Sequence, residues 1–213
     1  YEDPTFHRSR AHKYVEREVK TVRDNVGGIE IANYAKHEFK GPGACDFLDY
    51  ILAGRIPNPG RINLSPMLTS KGKLYGDLTV ACIKDEYFIL FGSGLMQEAH
   101  RRWFENKLPE KGVTYLNRSD DYHGVAISGP KSRELLNQIT RDDVSQESFK
   151  FRDIRMTYVG DVPAIIIRMS FSGELGYEIY CKPHYLVKLA ESIEEAGEGL
   201  GFCWYGSRAL LSM

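Results

Sequence analysis

The sequence lacks a long uninterrupted run of apolar residues, and it carries almost no net charge. Its 213 residues include 28 lysines and arginines against 29 aspartates and glutamates, which gives a formal charge of −1. No segment approaches the roughly 18–20 apolar residues that a membrane-spanning helix needs. A neutral chain also lacks the basic excess that is typical of nucleic-acid-binding surfaces. We therefore expect neither a membrane nor a nucleic acid as a partner.

Cysteine is scarce, and the cysteines that are present stand far apart. There is no C-x-x-C pair, and no group of cysteines and histidines has the spacing of a zinc site. We therefore predict no metal site and four reduced thiols: Cys45, Cys82, Cys181 and Cys203. The sequence shows no secretory signal peptide. We predict the cytoplasm of a bacterium or, in a eukaryote, the mitochondrial matrix.

Nucleotide-binding and hydrolase motifs are missing as well. The sequence has no complete G-x-G-x-x-G, no G-x-x-x-x-G-K-[ST], no G-x-S-x-G and no H-E-x-x-H. These absences argue against a bound dinucleotide or a P-loop nucleotide. What is present is ample apolar material, with 42% hydrophobic and 12% aromatic residues. This composition is typical of a folded globular protein.

Two segments repeat the order strand, Gly-Pro step, helix. The first has an alternating strand over 29–40, then Gly41-Pro42, then a helix over 44–52. The second repeats this order around Gly129-Pro130. Gly-Pro is a favourable helix start that can recur by chance, because proline is well tolerated in the first turn. We interpret the repeat as pseudo-symmetric halves of one α+β domain.

A segment of different composition separates the two repeated units. Residues 53–61 are rich in proline and glycine and read as a linker. Three apolar strands and an amphipathic helix are predicted after it. We therefore predict an inserted β-rich α+β domain over residues 57–121. The first domain would then be discontinuous, formed by residues 1–56 and 122–213.

Two clusters of polar residues are candidates for chemistry. Asp77 stands at the edge of a strongly apolar strand over 78–83. It is either a turn residue or a site residue whose pKa is tuned by its surroundings. Glu174, Tyr177 and Glu178 follow on a glycine-bent segment. They form either a charged hairpin turn or a site, in which glutamate pairs with the edge of an amino-pyrimidine ring and tyrosine covers its face.

At these two clusters the sequence resembles the aminomethyltransferase (T-protein) family of the glycine cleavage system. The segment Phe171-Ser-Gly-Glu-Leu-Gly-Tyr-Glu-Ile179 resembles the signature T-G-E-x-G-Y-E-I. Met67-Leu68, Gly72 and Asp77-Leu-Thr-Val80 resemble M-L-N-x-x-G-G-x-x-D-D-L-x-V. The ordered matches cover roughly residues 14–213. They are most similar to the folate-binding C-terminal portion of FAD-dependent dimethylglycine and sarcosine dehydrogenases and oxidases.

The resemblance implies a fold. In the family, a first α+β domain with ferredoxin-like elements is split by an inserted domain and followed by a β-barrel-like C-terminal domain. That last domain would be missing here, because the sequence stops at Met213 inside a motif of the family. With Tyr1 as its first residue, the sequence is expected to be a fragment of a longer enzyme.

The resemblance also implies chemistry. Tetrahydrofolate would accept a one-carbon unit, arriving as an iminium or methylene species, to give 5,10-methylenetetrahydrofolate. Asp77 matches an aspartate that assists the folate amine nitrogens, and Glu174 would hold the pterin edge. The remaining pocket residues carried over are Leu64, Thr79, Gly92, Tyr177 and Glu178. FAD would belong to a flavin domain of the same polypeptide, outside this chain, that oxidises an N-methyl amine.

Two alternatives stay open. Leu64 and Gly92 stand where the T-protein has tyrosine and asparagine, so the chain could be a non-catalytic binding or interaction module that has lost tight folate binding. The chain could also belong to a tetrahydrofolate-dependent aminomethyltransferase or to an O- or S-demethylase of the same superfamily.

Overall fold

Two β-sheets face each other at the centre of the molecule, and helices cover their outer faces. The computed structural model describes residues 6–213; residues 1–5, with which the predicted first domain begins, lie outside the described residues. The helices are α1 (His12–Asp24), α2 (Ala44–Ile51), α3 (Gln97–Glu105), α4 (Ser132–Ile139), α5 (Leu186–Gly197) and α6 (Ser207–Leu210). The strands are β1 (Val26–Glu30), β2 (Ala35–Lys40), β3 (Arg61–Leu68), β4 (Leu74–Lys84), β5 (Tyr87–Gly92), β6 (Thr114–Asn117), β7 (His123–Ser128), β8 (Ile154–Val159), β9 (Val162–Ile167), β10 (Gly176–Cys181) and β11 (Phe202–Trp204).

The first sheet has the strand order β11-β1-β7-β10-β9-β8. Its neighbours are antiparallel except for β1 and β11, which run parallel. Helices α4 and α5 cover its outer face, where Leu135 and Leu189 pack in one buried cluster with Ile127 and Ile179. The helices and the sheet therefore share one apolar core.

The second sheet has the strand order β3-β4-β5-β2-β6, with all neighbours antiparallel. Helices α2 and α3 cover its outer face, where Leu48 and Phe104 pack with Leu78 and Val80. The other face of β4 turns toward the first sheet. Because both faces are covered, the middle of this strand reads as a continuous apolar run rather than an alternating one.

A third apolar cluster joins the inner faces of the two sheets. Ile62 and Ala81 of the second sheet pack with Ile165, Ile167 and Tyr180 of the first. The layers therefore run helix, sheet, sheet, helix. The predicted α+β class is confirmed, and the strands of residues 6–213 form two open sheets and no barrel.

The chain crosses from one sheet to the other at residues 31–34. The sequence predicts a single strand over 29–40, because its alternation continues across the break. The structure instead has β1 in the first sheet and β2 in the second, between β5 and β6. Strand pairing therefore groups residues 35–40 with the predicted insertion of 57–121, not with residues 1–56. The division into domains stays a prediction.

The two Gly-Pro steps form similar turns in the two sheets. Gly41 has φ +120° before α2, and Gly129 has φ +125° before α4. These values favour glycine, since residues with a side chain rarely adopt them. Because β2 and β7 belong to different sheets, the repeated units correspond between the two sheets. The interpretation as pseudo-symmetric halves of one α+β domain stays a prediction, with one repeated unit in each sheet.

The sequence led us to expect no membrane partner and four reduced thiols, and the described helices and cysteines bear on both expectations. Across residues 6–213, no helix is long and apolar enough to cross a membrane. All four cysteines are free thiols, with Cys82 and Cys181 buried and Cys45 exposed. Burial raises the pKa of the Cys82 and Cys181 thiols to about 11, so both are protonated near neutral pH.

Candidate functional site

A cavity of about 660 Å³ opens between the two sheets. Strands β3, β4 and β5 form its wall on the second sheet, and β10 with residues 169–171 forms its wall on the first. The crossing segment 31–34 and the loop after β5 close one side through Asn33, Tyr34 and Ser93. The cavity therefore lies where the apolar contact between the sheets ends.

The structure brings five of the seven predicted site residues together in this cavity. They are Leu64, Asp77, Thr79, Gly92 and Glu178. The first four come from the second sheet and Glu178 comes from the first, so residues up to 114 positions apart in the chain meet across the inter-sheet space. No local pattern in the sequence would place them side by side.

Asp77 lies toward the start of β4, before the part of the strand that is buried on both faces. It is exposed and lies opposite Pro66 of β3. Proline has no N–H group to donate. Within residues 6–213, no group donates a hydrogen bond or forms an ion pair with the Asp77 carboxylate. The carboxylate is therefore available to a molecule in the cavity.

Thr79, Leu64 and Gly92 form the wall around Asp77. Thr79 is buried and lies opposite Leu64 of β3 and Phe91 of β5. Leu64 is 69% exposed and lines the cavity. A Cβ atom at Gly92 would lie 2.6 Å from Leu78 Cδ2, so a side chain at this position would force Leu78 to shift.

Glu178 is the buried acid of the cavity. Its side chain is nearly inaccessible, and its Oε2 accepts a hydrogen bond of 2.8 Å from the Tyr180 hydroxyl group. Burial raises the pKa of Glu178 to about 7, and the Tyr180 hydrogen bond opposes that shift. Near neutral pH this carboxyl group can therefore accept a hydrogen bond as a carboxylate or donate one as an acid.

Tyr34 and Lys36 extend the polar environment of Glu178. Burial and the nearby Glu178 raise the pKa of Tyr34, which lines the cavity. Lys36 is fully buried, with its Nζ atom 5.7 Å from the centre of the Tyr180 ring. Burial lowers the pKa of Lys36 to about 8. Tyr34, Lys36 and Tyr180 therefore form a polar cluster with Glu178. This cluster reaches the cavity at Glu178 and Tyr34.

The structure does not bring Tyr177 or Glu174 to the cavity. Tyr177 precedes Glu178 in β10 and therefore faces the opposite side of the sheet. There it is fully buried and stacks on Phe149 with ring centres 6.0 Å apart. Glu174 forms an ion pair with Arg23 of α1. The contacts predicted between these two residues and a bound ring stay predictions. The positions of the two side chains do not support them.

Several cavity residues were not singled out from the sequence. Tyr34 and Asn33 lie inside the segment predicted as one continuous strand, so no local signal marked them. Tyr180 stands two residues after Glu178, and strand alternation places both on one face. That spacing could have identified Tyr180 as the partner of a buried glutamate.

Comparison with known proteins shows which family shares this sequence and architecture. Over 211 residues the chain is 34% identical to mitochondrial dimethylglycine dehydrogenase of Mus musculus, covering 97% of this chain and 24% of that protein. It is 30% identical over 208 residues to the sarcosine oxidase subunit alpha of Rhizobium meliloti, covering 92% of this chain and 21% of that protein. The chain thus spans about a quarter of the length of these relatives.

A solved structure has the same fold. The crystal structure of glycine cleavage system aminomethyltransferase T from Bartonella henselae superposes with a TM-score of 0.81 at 20% identity, covering 92% of this chain and 52% of that chain. The family model of the GCVT N-terminal domain matches residues 1–213. These matches confirm the resemblance that the sequence motifs indicated. The chain therefore belongs to the family of GCVT N-terminal domains.

Proposed function

We propose that the inter-sheet cavity binds tetrahydrofolate and that this chain is the one-carbon-accepting portion of an enzyme acting on N-methyl amines. The amine would be of the dimethylglycine or sarcosine type, and the product would be 5,10-methylenetetrahydrofolate. The observation that carries the proposal is the pair of carboxyl groups, Asp77 and Glu178, on opposite walls of one cavity of about 660 Å³. The two groups differ in burial, which suits them to different tasks.

Glu178 fits the edge of an amino-pyrimidine ring such as the pterin of folate. A buried carboxylate can accept two parallel N–H hydrogen bonds, and such bonds are strongest where water is excluded. The Tyr180 hydroxyl group occupies only Oε2, so the carboxyl group keeps acceptor capacity toward the cavity. Glu178 would therefore orient the ring, while Phe91 and Met169 provide apolar wall beside it.

Asp77 fits the role of a proton acceptor near the reacting nitrogen. When bound, tetrahydrofolate supplies the amine nitrogens that take up the one-carbon unit. A nitrogen that forms a new C–N bond develops positive charge and must lose a proton. The Asp77 carboxylate, which accepts no hydrogen bond and forms no ion pair within residues 6–213, can stabilise that charge and accept the proton.

The wall of the folate pocket would be completed by three further residues, which determine the shape of the cavity: Leu64, Thr79 and Gly92. Leu64 and Gly92 do not close the cavity, and both line it together with Asp77. This favours a binding site over an interaction module that has lost its ligand. We assign oxidation of the amine to an FAD-containing domain elsewhere in a longer polypeptide, by analogy with the dehydrogenase relatives. The cytoplasm or the mitochondrial matrix stays the predicted location.

The proposal is tested by following the fate of the one-carbon unit in the full-length polypeptide. With dimethylglycine or sarcosine and tetrahydrofolate, we expect most of the unit to be captured as 5,10-methylenetetrahydrofolate and little to appear as free formaldehyde. Asp77→Asn should lower the captured fraction about 100-fold, within the range typical of general acid–base groups. Asp161→Asn, an exposed substitution at the β8–β9 turn, serves as the matched control.

Three outcomes would change the proposed function or the role of Asp77 in it. Unchanged capture in Asp77→Asn would remove the catalytic role of Asp77. A donor other than an N-methyl amine would favour an aminomethyltransferase or a demethylase that uses the same cavity. A wild-type protein that binds no tetrahydrofolate would support the non-catalytic module instead.

A further inference from the structure

A buried histidine lies directly beneath the strand that carries Asp77. His100 of α3 is 1% exposed, on the face of the second sheet opposite the cavity. Its Nε2 atom is 3.4 Å from the carbonyl oxygen of Tyr75, two residues before Asp77. The rings of His100 and Tyr75 lie 5.8 Å apart. The imidazole therefore contacts the backbone of β4 just where the strand enters the cavity wall.

The imidazole fills the space that a side chain at residue 76 would occupy. A Cβ atom at Gly76 would lie 2.5 Å from His100 Nε2 and 2.7 Å from its Cε1, closer than carbon atoms approach in folded proteins. A Cβ atom at Gly92 would lie 3.7 Å from His100 Nδ1. Glycine at position 76 lets the ring come against the backbone, so Gly76 and His100 are sterically coupled.

His100 is held as a neutral ring. Burial lowers the pKa of His100, while the Tyr75 carbonyl and the Asp77 carboxylate oppose that shift. The Tyr75 carbonyl can only accept, so the hydrogen bond assigns the ring proton to Nε2. Nδ1 then carries the lone pair, and among residues 6–213 it has no hydrogen-bond partner. Because the ring is neutral, His100 places no positive charge beneath β4 that would compete with a ligand for the Asp77 carboxylate.

We propose that His100 is a positioning residue for Asp77. By donating to the Tyr75 carbonyl and filling the space at Gly76, the imidazole fixes the backbone of residues 75–77 so that the Asp77 carboxylate faces the cavity. Of these two residues only Asp77 touches the ligand, and His100 acts through it. This inference rests on the proposed function, because it assigns Asp77 to a folate site.

The steric part is tested by a thermal-unfolding cycle on this chain. Gly76→Ala should lower the melting temperature by roughly 5 °C, because the added methyl group collides with His100 and overpacking destabilises the folded chain. In a His100→Ala background the same substitution should change the melting temperature by less than about 1 °C. Equal shifts in the two backgrounds would overturn the contact on which the proposal stands. Gly199→Ala, with no atom within 4 Å of the added Cβ, is the control.

The positioning part is tested by the dissociation constant for tetrahydrofolate, measured on variants whose circular dichroism matches the wild type. His100→Phe keeps a ring but loses the donor, and we expect binding about 10-fold weaker, because a displaced polar group loses its directed interactions. His100→Gln restores an N–H donor and should stay within about threefold of the wild type. In an Asp77→Asn background, His100→Phe should weaken binding no further.

The outcomes separate the two proposals. If the wild type binds tetrahydrofolate and Asp77→Asn weakens binding while His100→Phe does not, only the role of His100 fails. A purely structural role predicts the same loss for His100→Phe in both Asp77 backgrounds, which would also overturn the inference. If the wild type binds no tetrahydrofolate, the proposed function and the role of His100 fail together.

Discussion

The Tyr180 hydroxyl group donates a 2.8 Å hydrogen bond to Glu178 Oε2 inside the first sheet, at the wall of the cavity. The two side chains lie on one face of β10 because they are two residues apart. The bond satisfies one oxygen of a buried acid and leaves the other toward the cavity. Burying a carboxyl group in this way costs stability when the group is ionised, and that cost can be measured.

Substitution of Glu178 should change how stability depends on pH. Because burial raises the pKa of Glu178 from 4.5 to about 7, its contribution to stability is fully present below pH 4.5 and is lost as the pH rises through 7. Glu178→Gln keeps an acceptor for Tyr180 and cannot ionise. Relative to the wild type, it should therefore gain up to roughly 3 kcal/mol of unfolding free energy between pH 5 and pH 8. Urea unfolding at the two pH values measures this gain, and the same difference at both would contradict the burial of Glu178.

Glu174 should behave differently from Glu178 despite standing four residues before it. Its ion pair with Arg23 is partly exposed, with 44% of the arginine side chain and 21% of the glutamate side chain accessible. Such pairs contribute about 0–1 kcal/mol to stability. We expect Glu174→Gln to lower the unfolding free energy by less than about 1 kcal/mol and to leave the affinity for tetrahydrofolate unchanged. A large loss of affinity in this variant would return Glu174 to the folate site.

Tyr177 should be dispensable as a polar residue. The Arg133 guanidinium lies beside its hydroxyl group and opposes the rise in the Tyr177 pKa that burial causes, but no hydrogen bond of good geometry joins the two among residues 6–213. Removing a buried hydroxyl group that makes only this weak contact, while keeping the ring, costs little. Tyr177→Phe should therefore change the unfolding free energy by less than about 1 kcal/mol and leave folate binding intact. Weaker binding by this variant would mean that Tyr177 reaches the ligand after all.

Gly94 should be essential for the closed side of the cavity. A Cβ atom at this position would lie 1.9 Å from the carbonyl oxygen of Asn33, on the segment that crosses between the sheets. The two loops cannot keep their positions if Gly94 becomes alanine. We expect Gly94→Ala to destabilise the chain by about 1–3 kcal/mol in chemical denaturation. Gly199→Ala is the control, and equal stability of the two variants would contradict the observed approach of the loops.

The sequence predicted the fold class and five of the fifteen residues that line the cavity, among them Asp77 and Glu178. Asp77 precedes an apolar run, and Glu178 follows a glycine-rich bend, so local patterns located both. The crossing at 31–34 was missed, because alternation in β1 and β2 is compatible with one long strand. Which strands pair is decided by packing between distant segments, and Tyr34 enters the cavity only through that packing.

Neighbouring residues in one motif were predicted to act together, and the strand geometry separates them. Tyr177 and Glu178 are adjacent, so in an extended strand they face opposite layers. One enters the core beneath α4 and α5, and the other enters the cavity. His100 carried no signal in the sequence, because its contact with Gly76 depends on how α3 packs under β4.

Calorimetric titration of this chain with tetrahydrofolate shows directly whether the inter-sheet cavity binds folate. We predict saturable binding of one equivalent to the wild type. Binding to Glu178→Gln and to Asp77→Asn should be at least about 10-fold weaker, since each replaces a carboxyl group that would contact the ligand, and binding to Glu174→Gln and Asp161→Asn should be unchanged. Absence of saturable binding to a folded wild-type chain would contradict the account. So would variants at Glu178 and Asp77 that bind as tightly as the wild type.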